Sequence, residues 1–476
     1  MLFNTYTFFF FFAVVYILYL NLGHKGQNRM LLIASYIFYG SWEWRFLSLI
    51  WISTIIDYYC GLQIERELTK KRRKLFLTIS ICTNLGILGI FKYYDFFAHS
   101  FARLTNLFGL NIDPLFLNLV LPVGISFYTF QTMSYTIDIY FKKMKPTKDF
   151  LSFALYVAYF PQLVAGPIER AKHLLPQVLK PRKVTLALFY EGAFLIYWGI
   201  FQKAFIADNL AMIVDPIFDG SGPYNGIQIL IALYAFAFQI YCDFAGYSNI
   251  ARGLSKCMGF DIIVNFNLPY FAKNPSDFWR RWHISLSRWL RDYLYIPLGG
   301  NKKGTLLTYR NLFITMFLGG LWHGAAMTFV IWGMYHGAIQ IIHRLFKPFF
   351  DGLDRLSKIF TRRGWEGIKI VIFFHIVLIS WLFFRAKDVS DALEMMHALF
   401  FNFKWENSLN IQFNLSLFFG FTWVLMTVQW FQYKQNDLMV VYKAHPIIKI
   451  AFYSITAILL IIFGVTDGNE FIYFQF

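Results

Sequence analysis

Long apolar segments recur along the whole chain and restrict what it can fold into. Thirteen of them lie between residues 5 and 465, and most have the ~20 residues needed to cross a ~30 Å hydrocarbon core. Their apolar residues run continuously, whereas a membrane barrel needs segments of about ten residues with alternating polarity. Only 15% of the residues are charged, against ~25% in soluble domains. The sequence therefore predicts an all-α polytopic membrane protein.

The segments differ in length, and this affects the number of crossings. They cover residues 5–22, 30–42, 45–63, 75–98, 115–140, 150–167, 185–214, 226–251, 311–327, 329–343, 367–386, 411–433 and 446–465. Three are short enough to re-enter the membrane: 30–42, 150–167 and 329–343. We expect about eleven crossings in one integral-membrane domain over residues 1–476.

Charge predicts the orientation of these segments. The chain carries a net charge of +17, and its basic residues cluster between apolar segments, as the positive-inside rule describes for cytoplasmic loops. This distribution argues against a nucleic-acid partner and places both chain ends outside, with acid-rich residues 215–220 and 467–470 facing outward. The basic clusters are residues 70–74, 142–145, 170–183, 302–303 and 344–363.

Two of the segments are expected to form a pair. Arg310 and Arg344 should share the cytoplasmic side, so residues 311–327 and 329–343 must form a hairpin or a broken re-entrant pair.

The four cysteines, Cys60, Cys82, Cys242 and Cys257, lie in or beside apolar segments without metal-ligand spacing. They are interpreted as small buried apolar residues, and neither a disulfide nor a metal site is expected. The first apolar segment lacks a basic flank and a small-residue cleavage site, which predicts a retained helix rather than a signal peptide.

His323 lies in the run Gly319-Gly320-Leu321-Trp322-His323-Gly324, inside an apolar segment. An ionisable residue at membrane depth is costly and indicates a functional site. Histidine takes and returns a proton near neutral pH. The flanking glycines should weaken the helix and let a ligand or another backbone approach. A packed histidine that hydrogen-bonds to another helix is the alternative on these residues alone.

A second histidine, His283, follows a tryptophan- and arginine-rich run between about residues 256 and 310. Residues 277–295 are predicted to form short helices at the cytoplasmic face. Arg280, Arg281 and Arg288 provide a cationic surface suited to a phosphate-rich or carboxylate ligand, or to anchoring at the membrane surface.

Gln239, Asp243 and Tyr247 recur every four residues and should share one helix face. Asp243 is interpreted mainly as a buried structural carboxylate, with an arginine of residues 280–291 as its expected partner.

Pro- and Gly-containing runs at residues 121–127 and 160–170 should break helices, as happens around binding cavities in membranes. The sequence contains no metalloprotease, nucleotide-binding, lipase or dinucleotide-binding motif.

Taken together, six runs resemble the membrane-bound O-acyltransferase superfamily, and within it the bacterial branch that acetylates alginate and peptidoglycan. The runs are residues 122–131, 160–168, 241–248, 278–285, 295–300 and 320–324, and the ending 471–476 is also similar. The resemblance implies helices forming a ring around a central tunnel, in the bacterial inner membrane. It also implies that His323 is the essential histidine and His283 the second.

By this resemblance, the chain would move an acetyl group from a cytoplasmic thioester, acetyl-CoA, to an extracytoplasmic polysaccharide through a partner acetyltransferase. His323 would act as general base, while His283 or a nearby donor would stabilise the oxyanion. Trp282, Trp322, Gln239 and Asp243 would complete the substrate site beside the arginines. The alternatives are D-alanyl transfer to teichoic acid and a transporter without chemistry of its own, which the broken helices would also suit.

Overall fold

The computed structural model describes residues 1–164, 166–220, 222–356, 362–405, 408–465 and 471–472. These residues form helices and connecting segments without a strand, which confirms the all-α prediction. The helices are α1 Tyr6–Asn21, α2 His24–Glu43, α3 Leu47–Arg66, α4 Lys70–Leu88, α5 Tyr94–Leu107, α6 Ile125–Tyr140, α7 Phe150–Ala158, α8 Phe160–Leu163, α9 Ala171–Leu179, α10 Leu186–Ile200, α11 Asp208–Phe218, α12 Gly226–Cys257, α13 Pro275–Arg281, α14 Ile284–Leu290, α15 Thr305–His323, α16 Met327–Leu345, α17 Lys347–Leu356, α18 Arg362–Arg385, α19 Val389–Phe401, α20 Ser408–Gln435 and α21 Pro446–Phe463.

Six helical stretches in the described part of the chain are long and apolar enough to cross a membrane. They are His24–Arg66, Lys70–Leu107, Gly226–Cys257, Gly364–Arg385, Leu409–Gln435 and Pro446–Phe463. The expected total of about eleven crossings and the ring around a tunnel stay predictions. Residues 467–470 and 473–476, used above for orientation and resemblance, lie outside the described residues.

The contacts divide the chain into two compact units. The first comprises Met1–Ile196 with Ile250–Ile263, and the second comprises Tyr197–Asn249 with Val264–Phe476. Both histidines singled out above belong to the second unit. The single-domain prediction stays a prediction.

In the first unit, the Pro- and Gly-containing runs break helices as predicted. Gly124 starts α6 with a left-handed backbone, φ +74°, which glycine adopts without steric cost. A Cβ atom there would lie 2.6 Å from the carbonyl oxygen of Leu163. In the second run, α7 ends at Ala158 before the four-residue α8.

The same unit corrects one expectation about the cysteines. Cys60 and Cys257 are buried, but Cys82 is exposed. In a helix that can face lipid, an exposed thiol contacts apolar chains, so burial within the protein is not required for it.

In the second unit, α15 and α16 form the predicted hairpin, and each helix is 19 residues long. Gly320 and Gly333 lie against each other, since a Cβ on Gly320 would be 2.9 Å from the Gly333 Cα atom. Among the flanking glycines predicted to weaken the helix, α15 continues through Gly319 and Gly320 and ends at His323, just before the extended Gly324. Gly320 allows close packing of the two backbones, the approach of another backbone that the sequence predicted for this run.

This packing predicts opposite outcomes for two neighbouring substitutions. Gly320→Ala would place a Cβ 2.3 Å from the Phe329 carbonyl oxygen, so we expect about 1–3 kcal/mol of destabilisation. Gly319→Ala meets only a Leu290 methyl, at 3.1 Å, and alanine improves helix propensity by about 1 kcal/mol. Thermal unfolding in detergent should therefore show a loss for Gly320→Ala alone. Equal losses for both variants would contradict the close packing.

Candidate active site

The hairpin places His323 at the end of α15, where the helix stops and the chain turns. The side chain is 3% exposed, and Gly324 continues with an extended backbone. A Cβ on Gly324 would lie 2.1 Å from the Phe329 ring, so the turn closes tightly beneath the histidine. His323 is thus held at a helix end, buried among aromatic rings.

Aromatic side chains surround His323 closely. Its ring centre lies 4.8 Å from that of Trp332, 5.1 Å from Trp322 and 5.5 Å from Phe384. Walls of this kind exclude water and strengthen electrostatic interactions with any polar group that enters.

His283 lies in the connection between α13 and α14 and is completely buried. Its backbone is left-handed, with φ +41° and ψ +55°, a conformation that costs a non-glycine residue about 1–3 kcal/mol. The amide N–H of Ile284 donates to the Asn265 carbonyl oxygen at 2.9 Å. The surrounding structure therefore maintains a strained turn that directs this imidazole inward.

The side chain of Asn265 determines which nitrogen of His283 carries the proton. Its Oδ1 accepts from the Ser285 amide at 3.2 Å and from the Ser285 hydroxyl at 2.9 Å. The His283 Nδ1 lies 3.2 Å from the same oxygen and must therefore donate to it. In the neutral ring, Nε2 is then the basic nitrogen.

Burial also keeps His283 neutral. Its removal from water lowers the pKa to about 3, because the charged imidazolium loses hydration. His283 lies outside the six candidate spans. A neutral ring protonated at Nδ1 accepts at Nε2, so this ring does not supply the N–H that oxyanion stabilisation would require.

We expect Asn265→Leu to reduce the acyl transfer that the sequence resemblance implies about 10- to 100-fold, because it leaves buried donors of Ser285 and His283 without their acceptor. Ser285→Ala removes one of the three hydrogen bonds and serves as the matched control, with a loss below about tenfold. The measurement is kcat at equal amounts of inserted protein. A larger loss for Ser285→Ala than for Asn265→Leu would contradict the role of Asn265 in orienting His283.

The two predicted catalytic histidines come together in the second unit. Their ring centres are 6.3 Å apart, and both contact the Trp322 ring, at 5.6 Å from His283 and 5.1 Å from His323. They are close enough to contact one small group at the same time. Forty residues separate them in sequence, so this pairing is a product of the fold.

The predicted arginine cluster divides into two kinds of residue. Arg281 donates to Asp277 at 2.9 Å and to the Asn267 carbonyl at 3.3 Å, which indicates a structural role. Arg280 and Arg288 are exposed and accessible to an anionic ligand.

The partner predicted for Asp243 is wrong. Its carboxylate contacts the Lys203 ammonium at 2.6 Å instead of an arginine, and it accepts from the Ile472 amide at 2.7 Å. Lys203 also pairs with Asp208 at 2.8 Å. Sequence reasoning overlooked Lys203, although a lysine inside an apolar segment is itself a signal for a charged partner.

Two of the predicted substrate-site residues, Trp282 and Gln239, have unused hydrogen-bonding groups within the described part of the chain. Trp282 is fully buried and packs on Trp381 at 4.9 Å. Neither its indole N–H nor the Gln239 Oε1 atom has a hydrogen-bond partner among the residues that the structure describes. Such groups suit a site that binds polar ligands. Together with Asp243, their place in the substrate site stays a prediction.

A third histidine near the site escaped the sequence analysis. His336 of α16 is completely buried, and its ring centre lies 4.6 Å from Trp332, which in turn contacts His323. Trp279 contacts it from α13, at 5.1 Å. The reasoning applied to His323, an ionisable residue inside an apolar segment, would have identified it.

Comparison with known proteins agrees with this site. A profile of the membrane-bound O-acyltransferase family matches residues 39–385, a range that includes both histidines.

Several known proteins match most of the chain. A probable alginate O-acetylase of Pseudomonas putida is 42% identical over 411 residues, which cover 86% of this chain and 82% of the relative. A peptidoglycan O-acetyltransferase of Helicobacter pylori is 36% identical over 84% of this chain and 80% of its own.

A teichoic acid D-alanyltransferase of Bacillus subtilis is more distant, at 29% identity over 57% of this chain and 70% of its own. The extent of the family match and the identity to the acetylating relatives agree with the two buried histidines. The chain therefore belongs to the membrane-bound O-acyltransferase family and is an acetyltransferase.

Proposed function

We propose that this protein transfers an acetyl group from a cytoplasmic thioester donor across the membrane for O-acetylation of an extracytoplasmic polysaccharide. The observation that carries the proposal is the meeting of His283 and His323, 6.3 Å apart, in a buried aromatic site. The alginate- and peptidoglycan-acetylating relatives support an alginate-like exopolysaccharide or peptidoglycan as the acceptor.

The donor in this proposal is acetyl-CoA. Exposed Arg280 and Arg288 suit its phosphates, since guanidinium groups form paired, charge-assisted hydrogen bonds with phosphate oxygens. Both lie within ten residues of His283 along the chain, so a donor whose phosphates bind there would extend its thioester arm from this part of the chain.

His323 acts as the general base in the transfer step. It accepts the proton of an acceptor hydroxyl while that oxygen forms a bond to the acetyl carbon. The carbon–sulfur bond then breaks, and the proton passes from His323 to the leaving thiolate. An ester and a free thiol result, and no further reactant is needed.

His283 has a different task in this scheme. Because its Nδ1 donates to Asn265, the neutral ring accepts a hydrogen bond at Nε2 and can orient the acceptor hydroxyl. Another donor near His323 then stabilises the oxyanion. This is the second of the two possibilities that the resemblance implied, His283 or a nearby donor.

The protein acts as a multi-pass component of the bacterial inner membrane with both termini outside. An extracytoplasmic partner acetyltransferase receives the acetyl group and completes transfer to the polymer. The basic loops and the six candidate spans support the membrane placement.

The test is alkali-released acetate from the envelope and exopolysaccharide fractions of the native cells, a deletion strain and the complemented deletion strain. We expect deletion to remove acetate from one fraction and complementation to restore it. That fraction identifies the polymer. Unchanged acetate in both fractions would overturn the proposal.

Two further readouts separate the alternatives in the same strains. Loss of D-alanine esters in place of acetate would indicate D-alanyl transfer. Purified protein that consumes no acyl thioester when mixed with envelopes of the deletion strain, while that strain still loses acetate, would indicate a transporter.

A further inference from the structure

Three rings beside the histidine pair form a cluster with unused hydrogen-bonding groups. His336 and Trp332 are completely buried, and Trp279 contributes a buried indole N–H. Within the part of the chain that the structure describes, both ring nitrogens of His336 and both indole N–H groups lack a hydrogen-bond partner. Buried polar atoms rarely lack a hydrogen-bond partner in folded proteins. Four such nitrogen atoms in one cluster therefore indicate a place where a polar ligand binds.

The three rings contact one another directly. The ring centres of Trp279 and His336 are 5.1 Å apart, those of Trp332 and His336 are 4.6 Å apart, and those of Trp279 and Trp332 are 5.8 Å apart. Trp332 also lies 4.8 Å from the ring centre of His323. The cluster is therefore an extension of the reaction site.

The hairpin geometry places this cluster on one side of His323. Gly320 of α15 packs against Gly333 of α16. His323 lies three residues after Gly320, closer to the turn of the hairpin. His336 lies three residues after Gly333, farther from that turn. At 1.5 Å per residue, the two histidines are about 9 Å apart along the hairpin axis. His336 is nearer the hairpin end that carries Arg344, which the charge pattern assigns to the cytoplasm.

The unused groups restrict the chemistry of a ligand. Each indole supplies one donor, and a neutral imidazole supplies one donor and one acceptor. The cluster thus offers three donors and one acceptor. A secondary amide can use two of the donors and the acceptor, because its carbonyl oxygen accepts two hydrogen bonds and its N–H donates one. The third donor stays available for another acceptor on the same ligand.

We propose that Trp279, Trp332 and His336 form a subsite for an amide group on the arm that carries the acetyl thioester. This inference rests on the proposed function, since it assumes a thioester donor that arrives from the cytoplasmic side. The subsite positions the donor arm so that its acyl carbon lies beside His323. His336 in this role binds the donor and does not take the reaction proton.

The test compares two acetyl thioesters that differ in the amide. Purified protein receives S-acetyl-N-acetylcysteamine, which has one amide, or S-acetyl-1-propanethiol, which has none, together with envelopes of the deletion strain, which supply the partner and the polymer. The measurement is kcat/KM for thiol release. We expect the wild-type protein to prefer the amide-bearing donor about tenfold or more.

His336→Phe should reduce this preference to near one while activity with the amide-free donor changes less than about twofold. Trp279→Phe, which removes one donor at a half-buried ring, should reduce the preference less. Trp430→Phe is the matched control, since Trp430 is 57% exposed, and it should leave the preference unchanged.

Stability gives an independent readout. Phenylalanine replaces a buried imidazole whose ring nitrogens have no hydrogen-bond partner among the described residues, so His336→Phe should not lower the melting temperature.

Several outcomes would overturn the inference. One is a wild-type protein without preference between the donors, which would mean that the cluster binds water only. Another is an equal loss for both donors in His336→Phe, which would indicate a packing role. If the wild-type protein releases no thiol from either donor or from acetyl-CoA, the proposed function itself fails.

Discussion

Replacing His323 with alanine should reduce acetate incorporation about 10²- to 10⁴-fold, the contribution expected of a general base. Without the imidazole, no group at this position accepts the proton of the acceptor hydroxyl. The structure should survive, because His323 ends α15 and its removal does not interrupt a helix. The measurement is alkali-released acetate in the complemented deletion strain, normalised to inserted protein.

Two further variants make this result specific. His323→Gln keeps a polar side chain of similar length but has no basic nitrogen, so it should be as inactive as His323→Ala. His397→Ala removes an exposed histidine of the same unit and should retain full activity. Substantial acetylation by correctly inserted His323→Ala would exclude the general-base role.

Replacing Lys203 with methionine should destabilise the protein by about 3–5 kcal/mol, the usual effect of removing one partner from a buried ion pair. Its ammonium lies 2.6 Å from Asp243 and 2.8 Å from Asp208, and all three side chains are at most 3% exposed. Methionine would leave two buried carboxylates facing each other. Unfolding in mixed micelles, followed by tryptophan fluorescence, measures the loss.

The neighbouring carboxylates supply matched controls. Asp208→Asn leaves the pair between Lys203 and Asp243 intact, so we expect a loss below about 1.5 kcal/mol. Asp208→Asn combined with Asp243→Asn should partly rescue Lys203→Met, since it neutralises the unpaired charge. If Lys203→Met and Asp208→Asn cost the same, the lysine does not serve as the common partner of both carboxylates.

Much of the fold follows from local pattern. The helical class, the pairing of the segments around residues 311–343 and the helix breaks near Gly124 and Ala158 depend on hydropathy, charge and residues with special backbone preferences. Each of these properties belongs to a short stretch of neighbouring residues, so it can be identified from the sequence alone. His323 could be singled out in the same way, because an ionisable group in an apolar segment stands out locally. His283 stands out through the tryptophans and arginines around it.

The partners of these residues could not be found in this way. Lys203 lies 40 residues from Asp243 along the chain, and a carboxylate can pair equally well with lysine or arginine, so spacing does not select between them. The protonation of His283 depends on Asn265, an amide without any distinctive sequence signal. Which polar groups share a buried space is determined by how the helices pack.

The sequence by itself determined that this chain forms apolar helices, that His323 lies within one of them and His283 in a tryptophan- and arginine-rich run, and that the chain resembles acyltransferases. Only the tertiary structure decided that the two imidazoles meet, that Asn265 makes Nδ1 of His283 the donor, and that His336 extends the site through Trp332. Hydropathy and charge act on each segment separately. Contacts between distant residues arise only when close packing, such as that of Gly320 on Gly333, fixes one arrangement of the backbones.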